Sequence, residues 1–345
     1  MNNTLSDPSA ATAAAARSQG WRRMLPWLSL ATGVASALLM DRGPKRAALV
    51  ATGAVAVWLT LIALHWLARV DPHATGPRRR RLVVLARRSS LLATQSLVQL
   101  ALFFALPFYF QAAALPSWHI LFLLIMAALS AVSLWDPLSE RLLTQPLFAP
   151  LLPAVASFAA LAAVLPGLGL STQQSLWVAA LTAALGVALL VAAAAPVEQR
   201  LRRAVRALCV ALLLPAALPL GLARVVPAAP LRLMRVEIGT RLSQQWVADP
   251  TAQLHQAPAR LFCATAIWSP VGVSDRLFHV WRKDGQTRAR IELSISGGRT
   301  AGYRTYSRIQ QAEGLPDGTY RCSVETQAGQ VLGGAAVKVA RKRGP

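Results

Sequence analysis

Between residues 25 and 224 the chain is built of long apolar tracts, and that feature decides the solvent in which most of it can fold. A helix that crosses a bilayer needs about 20 consecutive apolar residues. Seven stretches approach or exceed that length: 25–40, 47–68, 89–114, 117–135, 147–169, 174–195 and 205–223. Only 14% of the 345 residues are charged and the mean hydropathy is +0.43, whereas about a quarter of a soluble domain is charged. The sequence therefore predicts an α-helical integral membrane bundle of about seven spans over 21–224. The first stretch is short. The fifth holds Pro146, Pro150, Pro153 and Pro166, which spans tolerate where neighbours satisfy the freed backbone groups. Residues 1–20, small and polar, read as a disordered cytoplasmic tail. The Arg22–Arg23 pair precedes a short apolar run with no small-residue cleavage site, so the run reads as an uncleaved first span.

The formal net charge of +22 raises the question of a nucleic-acid partner, and its distribution argues against one. With a cytoplasmic N-terminus, the inside segments hold fifteen arginines: Arg17, Arg22 and Arg23, seven between 69 and 88, Arg141, and four between 200 and 206. The outside segments hold four cations, Arg42, Lys45, Arg46 and Arg224. This is the positive-inside pattern of a protein whose partner is the lipid bilayer, not nucleic acid. Seven spans then place residues 225–345 in the periplasm of a bacterial inner-membrane protein. An even count would make the C-terminal region a cytoplasmic adaptor.

The tracts offer little to chemistry. Intramembrane ionisable groups mark pumps and transporters, and the span interiors contain almost none. His65, beside Trp66, reads as interfacial, Asp136 as a surface residue closing a span, and 77–88 as a basic topology anchor. Gln95 and Gln99 share one helix face; interhelical hydrogen bonding is their ordinary use. A polar path through them is the rival reading, a membrane enzyme or small-solute permease.

From residue 259 the hydrophobic period changes to two. Residues 261–268, 276–283, 288–296, 303–309, 319–326 and 335–340 read as strands separated by turns rich in Gly, Pro and Asp. Six short strands argue an all-β sandwich over 259–341, after a linker 225–258 and before a basic tail 342–345. Asp284-Gly285 suits a type I′ hairpin turn. The alternation buries Ala289, Ile291, Leu293 and Ile295, then Tyr320, Cys322 and Val324, and on the first strand Leu261, Cys263, Thr265 and Ile267. Cys263 and Cys322 thus both point inward. In an oxidising compartment they would pair as a disulfide; two buried thiols are the alternative. Cys209, in the last tract, reads as inert. The face that Trp281 occupies stays open, because Phe278 and Val280 compete for the core in the opposite phase.

The order Cys263, Trp281, Cys322, with "DGTYRC" at 317–322, resembles an immunoglobulin-type domain, in which a Trp packs on an inter-sheet disulfide and a Tyr two residues before the second Cys forms a corner. Asp317 stands one residue off the usual pattern, so the resemblance implies a sandwich. The stretches "LFCATAIWSPVGVSDRLFHVWRKDG", "GGRTAGYRTYSR" and "GTYRCSVETQAGQVLG" resemble a bacterial domain of unknown function, number 2914, which often follows a multi-pass membrane region. The resemblance covers about 80 residues and implies an architecture but no activity.

No nucleophile motif, carboxylate pair or zinc-type Cys/His spacing is present in the β region, so no enzyme activity, cofactor or metal is expected. His279 reads as a surface strand residue. Arg with Tyr and Trp is the vocabulary of protein hot spots and of anionic or sugar ligands. The candidate ligand set is Trp281, Arg282, Arg299, Tyr303, Arg304 and Tyr306, with Trp268 and Arg308 nearby. The role expected is non-enzymatic binding of an envelope component or partner protein. Nothing in the sequence fixes the oligomeric state.

Overall fold

The computed structural model describes residues 77–114, 117–134, 151–217, 222–269, 275–294 and 302–340, with scattered positions elsewhere, Trp58 and Thr60 among them. The tail 1–20, the tail 342–345 and most of the predicted spans 25–40 and 47–68 lie outside the described residues.

The helical part comprises α1 (Pro77–Ala112), α2 (His119–Leu134), α3 (Leu151–Val164, continued by a 3₁₀ turn to Leu168), α4 (Thr172–Ala194), α5 (Arg200–Ala211) and α6 (Leu213–Ala217). Among the described residues, three helical segments are long and apolar enough to cross a membrane: Thr94–Ala112, Leu151–Leu168 and Thr172–Ala194. They match the predicted tracts 89–114, 147–169 and 174–195. The predicted count of seven is corrected at two further places. The tract 117–135 gives a helix of only 16 residues, and 205–223 is not one helix. Pro215 there has no amide hydrogen and crowds the carbonyl of the preceding turn, and the helix breaks between Ala211 and Leu213.

α3 is the centre of the bundle. Its alanines Ala156, Ala159, Ala160 and Ala163 are buried, as are Ala179, Ala180 and Ala183 of α4. Small side chains let helix backbones approach closely, the packing mode available where burial in lipid gives no hydrophobic drive. The other side of α4 exposes Val178, Leu181, Leu185 and Leu189. A helix as apolar on its exposed stripe as on its packed one suits a lipid surround. Trp58 shows how tight the packing is: its indole nitrogen donates to Ser157 Oγ at 3.2 Å, and its ring lies over Gly186, where a Cβ would meet it at 2.3 Å.

Arg232 bonds Gln111 at the C-terminal end of α1 and Asp275 bonds Thr172 at the N-terminus of α4, so these two helix ends lie on one side of the bundle. The β region stands on that side. The opposite end carries the N-terminus of α1, with Arg78–Arg81, and the start of α5, with Arg200, Arg202, Arg203 and Arg206.

Two sheets form the β region. One has the order β1 (Arg232–Gly239), β5 (Arg260–Trp268), β8 (Tyr303–Gln310). The other has the order β4 (Gln253–Leu254), β10 (Val331–Val339), β9 (Gly318–Thr326), β6 (Arg276–Lys283), β7 (Gln286–Ser294). A small hairpin, β2 (Leu242–Ser243) with β3 (Trp246–Val247), lies over the first sheet, where Val247 packs on Phe262 and Ala264. Pairing is antiparallel except for β4 with β10, which is parallel. The predicted linker 225–258 is therefore corrected: it holds β1 to β4. β1 is paired with β5 from Arg232↔Trp268 to Gly239↔Phe262, and that pairing, not its own composition, makes it a strand. The six predicted strands are all present. The Asp284-Gly285 turn has φ 49° and 84°, the two positive angles that a type I′ hairpin demands.

Candidate functional site

The core between the sheets is organised around one polar cluster. Cys263 on β5 and Cys322 on β9 are joined as a disulfide with their Cα atoms 6.4 Å apart, and Trp281, opposite Cys322 in the register, is fully buried beside it. That settles the phase of β6 and removes Trp281 from the predicted ligand face. β6 is flanked by β7 and β9, and Val280 on its other side is buried as well. With apolar Phe278 and Val280 on the outer side and Leu277 and Trp281 on the inner, the pattern of β6 shows no alternation.

His279 is a second correction. It is fully buried, not a surface residue. Its Nε2 lies 2.9 Å from Thr265 Oγ1 and its Nδ1 lies 2.7 Å from Ser307 Oγ. Ser307 Oγ also accepts the indole N–H of Trp281 at 3.0 Å, and Thr265 Oγ1 reaches the Thr305 carbonyl at 3.5 Å. One set of proton positions satisfies all of these contacts. The Trp281 N–H donates to Ser307, whose hydroxyl donates to Nδ1; Nε2–H donates to Thr265, whose hydroxyl donates to Thr305. The chain ties β6 to β5 and β8 across the core. Burial lowers the His279 pKa to about 4, because an imidazolium there would lose its water. The sulfurs of Cys263 and Cys322 and a ring nitrogen of His279 lie within 4.8 Å of one another. Both ring nitrogens are committed to hydroxyls and the sulfurs to each other, so the trio acts as an inter-sheet link. Close by, the Tyr320 hydroxyl donates to the Pro316 carbonyl at 2.9 Å, fixing the entry to β9.

The remaining predicted ligand residues fall in different places. Arg282 lies on the outer face of the five-stranded sheet, half-buried and paired with Glu325 at 2.5 Å and with Ser323 at 2.8 Å. Tyr303 packs against the inner cluster. Arg304 and Tyr306 point outward from β8, as does Arg308, and Arg299 lies outside the described residues. The set read from the sequence is thus not one site.

A more coherent array is the outer face of the three-stranded sheet. Strand pairing sets Arg235, Ala266 and Arg304 in one row, then Glu237, Ala264 and Tyr306, then Gly239, Phe262 and Arg308. Arg232 beside Trp268 and Arg260 beside Gln310 close the two ends. The guanidinium of Arg235 sits 4.5 Å from the ring centre of Trp246, and that of Arg232 is 5.7 Å from Trp268. Glu237, the acid of this face, is held by Arg235 at 2.6 Å. Among the described residues no carboxylate pairs with Arg304, Arg308 or Arg260. Sequence reading missed Arg232, Arg235 and Trp246 because they lie in the supposed linker; "RLMRVE" at 232–237 gives no clean alternation, since a bulge falls between Leu233 and Arg235.

The β region is fastened to the helices by polar contacts. Asp275 Oδ2 accepts the Thr172 amide at the N-terminus of α4 at 2.9 Å, and Oδ1 accepts the Arg276 amide at 2.8 Å. Burial raises the Asp275 pKa, against the two amides that lower it. Gln330 donates to the carbonyls of Val226 and Pro227 at 3.0 and 3.3 Å, and Arg232 donates to Gln111 at 3.0 Å. Inside the bundle, buried Gln99 donates to the Ser133 carbonyl, an interhelical bond of the kind that joins helices.

Fold and contacts define a class: a helical bundle with membrane-length helices, capped by a two-sheet, disulfide-linked β domain that presents one arginine and aromatic face. The chain belongs to the family of unknown function (DUF5924), whose model matches residues 6–262, and residues 274–339 match the protein of unknown function (DUF2914). The resemblance of the C-terminal stretches to the second family is thereby established over that range. The first match ends inside β5, one residue before Cys263, and the second begins just before β6 and contains Cys322, so the disulfide joins the second match to a cysteine between the two. No curated protein and no solved structure matches the chain.

Proposed function

We propose that the protein is a non-enzymatic inner-membrane anchor that holds an immunoglobulin-like binding domain on the periplasmic side, where it engages an envelope component. The observation that carries this reading is the separation of charge along the bundle. The β domain stands on the end away from Arg78–Arg81 and Arg200–Arg206, and arginine-rich ends of membrane helices stay in the cytoplasm. A disulfide in the domain core suits an oxidising compartment. The immunoglobulin-like assignment rests on the sheet orders, on the Trp281 indole beside an inter-sheet disulfide, and on the Tyr320 hydroxyl bonded to the backbone four residues upstream. The helices supply membrane attachment and a seat for the domain through Asp275 and Arg232, and Gln330 holds the connecting segment at Val226 and Pro227.

Protease treatment of spheroplasts and of inverted vesicles tests the reading. Residues 232–340 are expected to be cleaved from outside in spheroplasts and protected in inverted vesicles. Cleavage only in inverted vesicles would overturn it.

A further inference from the structure

We infer that the outer face of the three-stranded sheet binds an acidic polysaccharide laid along β8. This rests on the reading of the domain as a binding module and adds the chemistry of the ligand. On β8, Arg304, Tyr306 and Arg308 alternate outward and are exposed. Residues four apart on a strand are separated by roughly 13 Å, so the two guanidinium forks bracket the tyrosine ring. Arg235 lies in the Arg304 row two strands away, roughly 10 Å off, beyond the β2–β3 hairpin that covers Phe262 and Ala264 of β5, so the open part of the face is the β8 row. β8 is an end strand of its sheet, so nothing in the sheet order covers this row from the side. An arginine fork takes a carboxylate or sulfate in two parallel hydrogen bonds. The Tyr306 ring, 47% exposed between two such forks, offers a flat apolar surface to the C–H face of a sugar. A ligand that fits must therefore alternate anionic groups with apolar ring faces in an extended chain, which is what a polymer of acidic sugars does.

The direction of the strands argues for a polymer in solution over the headgroups of the bilayer. β1 leaves the bundle at Arg232, which touches Gln111 at the end of α1, and β5 returns to it at Trp268. The strands thus meet the bundle by their Arg232 and Trp268 ends, and the row from Arg304, level with Ala266, to Arg308, level with Phe262, leads away from that end. An acidic peptide shares the charge but not the need for a ring, and that difference separates the two.

The test uses the full-length protein in a non-ionic detergent and titrates it with polygalacturonate, with its methyl-esterified form and with poly-glutamate. Binding of polygalacturonate, weakened by salt, is expected, together with loss of binding to the ester. Arg304→Gln with Arg308→Gln should weaken it at least tenfold, while Arg288→Gln with Arg321→Gln, the same charge change on the other sheet, should not. Tyr306→Ala should weaken it several-fold without changing the salt dependence. Equal binding of poly-glutamate with no effect of Tyr306→Ala would overturn the inference in favour of an acidic peptide, and no binding of polygalacturonate would overturn it outright. These results are independent of sidedness. A β domain found in the cytoplasm sinks the anchor reading whatever the titration gives, and a periplasmic domain that ignores the polymer sinks this inference alone.

Discussion

Acid should loosen the β domain through His279, and the size of the effect follows from its burial. The folded-state pKa is about 4 against 6.5 for a free imidazole. Below pH 6.5 the unfolded chain takes up a proton at this position and the folded chain does not, so each pH unit costs about 1.4 kcal/mol until the folded pKa is reached. Stability from this group is thus complete above pH 6.5 and lost as pH falls towards 4; at pH 4.5 the loss amounts to about 2.5 kcal/mol. Asp275, whose pKa is raised, works in the opposite sense and is common to every variant compared. The buried disulfide gives a convenient reporter, since reductant reaches it only when the domain opens. With Cys209→Ser as background, the urea midpoint for labelling Cys263 and Cys322 in the presence of reductant should fall between pH 7 and pH 4.5. His279→Gln should be less stable at pH 7 by about 1–3 kcal/mol, because the hydroxyls of Ser307 and Thr265 lose their shared partner. It should lack this part of the acid dependence. An unchanged pH dependence in His279→Gln would refute the assignment of the proton to this residue.

Gly186→Ala should destabilise the bundle by about 1–3 kcal/mol in detergent thermal unfolding, although Gly→Ala inside a helix ordinarily adds about 1 kcal/mol; a gain would mean that the Trp58 ring is not held over this position. A fragment restricted to 274–339 lacks β1, β4 and β5 and leaves Cys322 without Cys263, so it should show no dispersed amide spectrum, whereas the fragment 222–340 should; a folded short fragment would contradict the two-sheet core. Asp275→Ala removes the acceptor from the Thr172 amide, and limited proteolysis should then cut faster between α6 and β1; an unchanged rate would show that Gln330 and Arg232 suffice to hold the junction.

Much of the β domain was legible because its strands face two environments. In β7 and β9 one side meets the core and the other carries polar residues, so Leu293, Tyr320 and Val324 declare their direction by alternation alone. The Asp284-Gly285 turn was equally legible, since few residues accept two positive φ angles in succession. The apolar character of α1, α3 and α4 needs no partner to be recognised. The end of the last tract was harder: Pro215 marks a break, but apolar composition over 205–223 conceals it. The candidate site was read only in part, because its rows are drawn from three strands and one of these was hidden in the supposed linker.

The sequence by itself determined the apolar helices, the period-two strands and the inward direction of the two cysteines, because each follows from local pattern and from which solvent a side chain can face. Tertiary structure alone decided that Trp281 and His279 are core, since β6 carries apolar residues on both sides, Phe278 and Val280 against Leu277 and Trp281, and its pattern shows no phase. It likewise decided that 232–254 contributes strands, for these form by pairing with β5 and β10. It also gathered Arg235, Arg304, Tyr306 and Arg308 onto one face, because neighbours across a sheet are set by register, a relation between distant segments that no local spacing records.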